Sequence, residues 1–434
     1  MMNNLDEIYY VFSLKNHTYI IEVSVQRAIM TDWTSSMELA GSDPEWKSTL
    51  CEILSQADWS VEITPVVDKL KNGERLTLQD GMILFNHKDL FELGRLATSS
   101  KKSRFGDNVF FNSNVHINQT NVCVLSCKFC AFSRTKRSKD AYSLSVEQYL
   151  SELEKYASRI DEVHSVGGLH PDWDVEYYCE LFSSIKERFP SISIKALTAV
   201  EIKHLCKISN LPIEELYSRL IDAGLGSLPG GGAEILNDDI RDKICYGKET
   251  SQEYIDIHRE AHKAGIPSNC TMLFGTIESL EDRLNHMIQL RNLADETSMF
   301  QCFVPYPFLP DSTRLPEAQL STANETLRTI AISRLMLDNI PHIKAYRMNI
   351  GDYLTELALN FGADDVDGTV GRESIMHLAG ATSSLDYDKY QLGKLISDAG
   401  CIPVIRDTKY ENFSPYIIKS PQRPRRLKVI NTEG

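Results

Sequence analysis

Several things are missing from this 434-residue chain, and each absence closes off a class of protein. No uninterrupted apolar run is long enough to span a bilayer, so membrane insertion is not expected. The opening residues, Met1 to Glu7, lack the basic-then-apolar order of a secretory signal, which predicts a cytoplasmic protein. Basic residues are not in excess: 46 Lys and Arg stand against 60 Asp and Glu, a formal charge of −14, which argues against a general nucleic-acid surface. Most of the 10 cysteines (Cys51, Cys179, Cys206, Cys245, Cys270, Cys302, Cys401) stand at no motif spacing and read as buried reduced thiols, not a disulfide frame. There is no repeat or low-complexity tract, and no G-x-G-x-x-G turn with a following acid marks a dinucleotide fold.

What is present is a C-x3-C-x2-C run, Cys123, Cys127 and Cys130, in a loop that follows an apolar β-type stretch. Three thiolates on one loop can hold a [4Fe–4S] cluster and leave one iron open to a small molecule, an arrangement suited to chemistry and not only to electron transfer. Phe129, between the last two cysteines, would shield the cluster and offer an aromatic face. A tetrahedral zinc site with His116 as fourth ligand is the alternative, although the run lacks the paired C-x2-C hooks of structural zinc modules. Basic residues flank the loop, Lys101, Lys102 and Arg104 before it and Arg134, Lys136, Arg137 and Lys139 after it. They are expected to help dock an acidic electron donor such as flavodoxin or ferredoxin. A second basic run, Arg423, Arg425, Arg426 and Lys428, reads as solvated surface.

From residue 115 onward, short β-branched runs alternate with amphipathic stretches. Strands are predicted at 115–123, 162–168, 193–197, 226–229, 268–274, 299–304, 342–346 and 364–369, with helices at 146–159, 176–188, 213–223, 252–264, 281–293 and 323–338. Eight such repeats predict an α/β fold, a closed (β/α)8 barrel over 115–383. Polar and glycine-rich turns follow the strands, and the strand C-terminal face is where such barrels carry their sites. Residues 49–114 predict a helical cap, with helices at 66–72 and 76–85, and 384–434 a C-terminal extension packing on the barrel. Residues 1–48 form an extension of no assigned role, with a strand pattern at 18–25.

Gly167-Gly168 ends the second strand and lets a ligand approach the backbone with no Cβ in the way. His170, just after, is a candidate proton donor or anion contact. The run Pro229 to Glu234 contains Gly230, Gly231 and Gly232, again permitting close approach of backbone to a cofactor, and Glu234 either bonds a ribose or ammonium group or caps the next helix. Glu201, Glu278, Lys195, Lys344, Arg347 and Arg406 lie near inferred strand ends. A carboxylate substrate in a barrel mouth needs at least one fixed cation from such a set.

The cysteine spacing with its internal aromatic resembles the radical S-adenosylmethionine (SAM) enzymes. Further segments, His116 to Cys123, Gly167 to Asp172, Ile194 to Ile202, Ser227 to Ile235, Leu335 to Ala345 and Asp364 to Thr369, are similar to those of the aminodeoxyfutalosine synthases of the futalosine route to menaquinone. The likeness spans roughly residues 76–410. Cyclic dehypoxanthine futalosine synthases and deazaflavin (FO) synthases share part of it, but the cyclising relatives typically carry Ser-Pro-Pro-Glu where this chain has Lys195 to Glu201 in the order Lys-Ala-Leu-Thr-Ala-Val-Glu.

The resemblance implies metal ligands Cys123, Cys127 and Cys130 and a SAM site formed by Phe129, Gly167, Gly168, Gly231 and Glu234. It implies His170 and Glu201 as catalytic candidates, and Lys195, Thr198, Lys344 and Arg347 as contacts for a small carboxylate substrate. The implied activity is a transferase that adds the 5′-deoxyadenosyl radical from SAM to 3-[(1-carboxyvinyl)oxy]benzoate, giving 6-amino-6-deoxyfutalosine. A non-catalytic iron–sulfur or zinc module is the reading from another class. The chain departs from the family pattern at Thr276, where His is common, at Arg347, where apolar or aromatic residues are common, and around Tyr306 and Phe308.

Overall fold

The first barrel strand starts earlier than its sequence pattern suggests. In the computed structural model, which describes residues 42–418 and the backbone of an N-terminal hairpin, strand pairing of the barrel begins at Asn108 and not at 115. The hairpin pairs β1 (Tyr9–Leu14) antiparallel with β2 (His17–Glu22), and the basic run at 423–428 lies outside the described residues. β3 (Asn108–Phe111) and β4 (Asn114–His116) together form the first staves of the wall. The Ile117 N–H still donates to His164 O at 2.9 Å, but residues 118–123 leave this ladder as their polar side chains bond elsewhere. Asn118 donates to the Val166 carbonyl at 2.9 Å, Thr120 to Tyr142 at 2.8 Å and Asn121 to Asp140 at 2.9 Å.

The remaining barrel strands are β5 (Glu162–Ser165), β6 (Ser193–Ala196), β7 (Leu225–Ser227), β8 (Ser268–Phe274), β9 (Phe300–Pro307), β10 (His342–Ala345) and β11 (Asp365–Val366). They pair in parallel and in sequence order, β4 to β7 and β8 to β11, and a bridge between Leu228 and Ser268 joins the two runs. Closure comes from the chain around and beyond β11. The Phe110 N–H donates to Asp364 O at 2.8 Å, the Gly371 N–H to Asn114 O at 3.2 Å and the His116 N–H to Arg372 O at 3.1 Å. The fold is therefore the expected α/β barrel. After it, β12 (Ile402–Arg406) adds in parallel to β3, and β13 (Phe413–Pro415) pairs antiparallel with β12.

Strand parity builds the two layers. Val115, Val163, Ile194 and Leu225 face the outer helices and are sealed in the core, each contributing about 1.5–3 kcal/mol. Their polar neighbours face the barrel interior. Ahead of the barrel, helices Trp46–Ser55, Thr64–Lys71, Leu78–Asn86 and Leu90–Phe105 precede β3. The last of these overturns one expectation, since Lys101 and Arg104 are buried rather than part of a basic surface. Lys101 Nζ lies 3.7 Å from Cys401 Sγ, and the Arg104 guanidinium stacks 4.3 Å over Trp46, with burial pulling Arg104 down to about 9.

Candidate active site

Alternate strand residues open into one cavity at the C-terminal end of the barrel, about 1360 Å³ with its mouth included. Asn114 and His116 line it from β4 and Asn118 from just beyond, Glu162 and His164 from β5 and Val166 from just beyond, and Asn269, Thr271 and Leu273 from β8. Cys130 and Phe129 reach it from the cysteine loop.

That loop is braced from three sides. The Cys123 N–H donates to Arg134 O at 2.9 Å, the Lys128 N–H to Ile244 O at 2.7 Å, and the Arg314 guanidinium to Ser126 O at 2.9 Å. The Leu125 N–H points at Cys123 Sγ across 3.4 Å, the kind of hydrogen bond that tunes a cluster thiolate. Burial pushes the Cys123 and Cys127 thiols up, and Lys248 works against it at Cys127. Bound metal replaces the proton of such a thiol.

The Gly167-Gly168 turn is packed against the segment entering this loop. A Cβ on Gly168 would overlap the Val122 carbonyl, and one on Gly167 would sit 2.7 Å from Gln119 Nε2. Among the described residues the Gly167 and Gly168 carbonyls accept no protein hydrogen bond. Glu201 organises the turn from behind. It accepts from the Gly167 N–H at 3.0 Å, Gln119 at 3.1 Å, and the Thr198 N–H and hydroxyl at 2.8 and 2.7 Å, and burial pushes its carboxyl up to about 6. Glu201 does not line the cavity, nor do Gly167 and Gly168, nor His170, which stacks on Trp173 at 4.3 Å. Thr198 does line it.

Gly231 and Glu234 line the cavity from the glycine loop after β7. Gly230, at φ 84°, lies so close to Asn269 that a Cβ would overlap its carbonyl, and buried Arg241 ties the loop together by donating to Gly232 O at 3.3 Å and to Ala233 O. Glu234 is not a helix cap: Asn237 caps helix Asp238–Cys245, accepting from the Asp239 N–H at 3.0 Å. Instead Glu234 accepts from Lys248, a residue with no motif around it. Burial opposes the Lys248 charge, but Glu234 and Glu249 outweigh it and hold the ammonium above its ordinary range.

The cavity wall also carries a charged network. Lys195 lies 3.6 Å from Glu162, and burial pulls its ammonium below the ordinary amine range while Lys195 and Arg406 overcome burial to hold Glu162 down to about 2. Lys344 and Arg406 share Asp365, Arg406 at 2.6 Å. Three cations thus meet two carboxylates here. Lys195 donates no hydrogen bond among the described residues, which leaves its N–H groups for the cavity. His116 and His164, their rings 4.3 Å apart, are driven down to about 3 and about 4 by burial and stay neutral. Asp367 and Glu373 also line the space but accept from backbone N–H groups of Met348 at 2.9 Å and Met376 at 2.9 Å.

Arg347 is a correction. It points away from the cavity, pairs with Asp352 at 3.1 Å and stacks 4.1 Å over Tyr387. Thr276 is likewise absent from the cavity lining, donating to Glu278 at 2.7 Å, whereas Tyr306 and Phe308 line it. The residues missed in the sequence, Glu162, His164, Asn269 and Thr271, carried a usable signal, polar positions two apart within otherwise apolar strands.

Residues 117–290 match the Radical SAM superfamily, and residues 297–417 match a family described as the CofH/MqnC C-terminal region. The chain is 40% identical to the aminodeoxyfutalosine synthase of Thermus thermophilus over 80% of its own length and 95% of that protein's. It is 34% identical to the cyclic dehypoxanthine futalosine synthase of Streptomyces coelicolor, over 81% and 89% of the two chains. The chain belongs to the radical SAM superfamily. Its fold is similar to that of methylornithine synthase (PylB), with a TM-score of 0.64 at 20% identity, covering 77% of this chain and 96% of that one.

It is a radical SAM enzyme, and its family uses a [4Fe–4S] cluster and SAM. The residues fit the cluster. Cys123, Cys127 and Cys130 sit on one braced loop with Phe129 between the last two, and His116, the fourth ligand a zinc reading would need, stacks against His164 on the barrel wall. A cuboidal cluster takes each thiolate at a separate iron corner. No helix among the described residues is long and apolar enough to cross a membrane.

Proposed function

We propose that the chain catalyses the aminodeoxyfutalosine synthase reaction, joining the 5′-deoxyadenosyl group of SAM to 3-[(1-carboxyvinyl)oxy]benzoate and releasing methionine and the enolpyruvyl carboxylate as CO2 or bicarbonate. The observation that carries this reading is the placement of the segment that separates these synthases from their cyclising relatives. Lys195 and Thr198 line the cavity and Glu201 anchors the Gly-Gly turn behind it.

When bound, the cluster and SAM supply the carbon-centred radical that attacks the substrate alkene. The protein's own residues do the rest. Cys123, Cys127 and Cys130 hold the cluster, and the free carbonyls of Gly167 and Gly168 accept from the SAM ammonium. Gly231 and Phe129 bound the nucleoside, and Glu234, oriented by Lys248, bonds its polar edge. Lys195, Lys344 and Arg406 receive the substrate carboxylates, while Tyr306 and Phe308 offer apolar surface to its ring. Glu201 acts as a positioning residue, and His170 has no contact with the cavity. A reducing cytoplasm suits an oxygen-labile cluster.

The test is anaerobic incubation of the reconstituted protein with SAM, a reductant and the enol ether. An adenine-containing adduct and methionine are expected; 5′-deoxyadenosine with no adduct removes the assignment, and turnover of dehypoxanthine futalosine transfers it to the cyclising reaction. Cys127→Ala is expected to abolish iron–sulfur absorbance and SAM cleavage together.

A further inference from the structure

After β11 the chain arches over the cavity, with Glu373, Ile375, Met376 and Ala379 lining it. The feet of the arch are tied down. The Gly371 N–H donates to Asn114 O at 3.2 Å, and Arg372 pairs with Glu152 at 3.1 Å. On the other foot the Arg347 guanidinium donates to Ser384 O at 3.0 Å, and the Ser383 hydroxyl to Arg347 O at 2.8 Å. The Asp386 N–H closes the neck by donating to Val370 O at 3.0 Å. Both neck residues are left-handed, Val370 at φ 41° and Asp386 at φ 62°, a strained backbone for a β-branched side chain.

Between the feet, Glu373 to Thr382 bonds mainly to itself. Glu373 accepts from the Met376 N–H at 2.9 Å and the His377 N–H at 3.2 Å, and the Leu378 N–H donates to Ser374 O at 3.2 Å. Beyond its feet, among the described residues, two hydrogen bonds join the arch to the rest of the mouth. The Asp311 N–H donates to Ala379 O at 3.1 Å, and Asn349 Nδ2 reaches the Met376 sulfur at 3.5 Å. Ile375, Met376, Leu378 and Ala379 pack into none of the hydrophobic core. A segment with so few buried apolar contacts opens at low cost. Glu373 also lines a crevice of about 770 Å³ beside Phe132, Arg134 and Tyr142, so its side chain is the partition between crevice and cavity.

We propose that Glu373 to Thr382 is a lid that swings on its two feet to admit SAM and substrate, then closes with Ile375 and Met376 packed on the substrate. Asn349 fixes which ligand the lid meets, because the Nδ2 that reaches Met376 also donates to Pro307 O at 3.1 Å, next to Phe308 on the wall assigned to the aryl ring. The bound ring supplies the apolar contact that these side chains do not find in the core. Closure keeps water and other hydrogen donors from the radical. The proposal rests on the cavity being the active site, and it holds for any apolar substrate seated beside Phe308.

The test follows backbone amide exchange by mass spectrometry in the full-length reconstituted enzyme, without reductant, first alone and then with SAM and the enol ether. Alone, the amides of 373–382 should exchange about tenfold or more faster than those of helix Ser251–Lys263. With both ligands they should slow about tenfold while the helix is unchanged. Ile375→Ala/Met376→Ala should keep the parent's thermal midpoint, lose that protection and raise KM for the enol ether about tenfold. An arch that exchanges as slowly as the helix in the ligand-free protein overturns the proposal. So does a double variant that melts lower and keeps its protection, which would make the two side chains part of the core. Protection by SAM with dehypoxanthine futalosine, and none with the enol ether, supports the lid and removes the substrate reading alone.

Discussion

Lys248 Nζ stands 2.5 Å from Glu234 Oε1, with both side chains almost sealed from solvent. Glu234 comes from the glycine loop at φ 46°, a left-handed backbone uncommon for a side chain of this kind, and Lys248 from the turn after helix Asp238–Cys245. The same ammonium lies 5.8 Å from the Phe129 ring. One buried ion pair therefore ties the glycine loop to the cysteine loop.

Breaking that pair on one side should be costly. Lys248→Met strands the Glu234 carboxylate, and a loss of about 3–5 kcal/mol in unfolding free energy is expected. Lys248→Met/Glu234→Leu should recover most of it, since an apolar pair leaves no charge behind. Urea denaturation of the three proteins decides the point, and a single-variant loss below about 1 kcal/mol contradicts the burial argument.

Glu201 gives stability an acid-side signature. Its folded carboxyl is raised from 4.5 to about 6, so the folded state binds the extra proton between those values. The group's contribution is full below about pH 4.5 and is lost as pH rises through about 6, some 2 kcal/mol in all. The stability difference between the wild type and Glu201→Gln should shift in that window in the wild type's disfavour as pH rises and be flat above it. A difference that grows in the wild type's favour from pH 4.5 to 6 reverses the sign and refutes the burial cause.

The barrel was legible because its strands and helices repeat a local pattern, and the helices predicted at 213–223 and 252–264 fall on Ile213–Ala223 and Ser251–Lys263. The cysteine loop was legible because spacing alone defines it. Arg347 was misread through parity: Lys344 and Tyr346 face the cavity, and the next residue opens a helix on the outside. Lys248 was invisible because nothing local marks it, and only the folding of two loops onto one another brings it to Glu234. Lys101 and Arg104 resembled surface because burial of a long basic side chain depends on partners far away in sequence, here Cys401 and Trp46.

Gly168 separates a packing role from a ligand role. Gly168→Ala drives a methyl into the Val122 carbonyl, next to Cys123, so the loop must shift before any SAM is present. Anaerobic reconstitution should yield markedly less iron and sulfide per chain than the parent, with an unchanged far-UV circular dichroism spectrum. Full incorporation with weakened SAM binding would assign the glycine to the ligand alone.

Lys195 is the cation with donors to spare, and it should anchor a substrate carboxylate. Lys344 and Arg406 already share Asp365, whereas Lys195 has only Glu162 at 3.6 Å. A charge-assisted hydrogen bond contributes about 1.5–3 kcal/mol, so its loss should raise KM for the enol ether by about tenfold or more. Lys195→Met alone would leave Glu162 to repel the substrate, and Lys195→Met/Glu162→Gln isolates the anchoring effect. In that double variant SAM should still be cleaved, with 5′-deoxyadenosine replacing part of the adduct, because a loosely held alkene lets the radical find another hydrogen source. An unchanged KM with unchanged coupling would move the anchor to the Lys344–Asp365–Arg406 cluster.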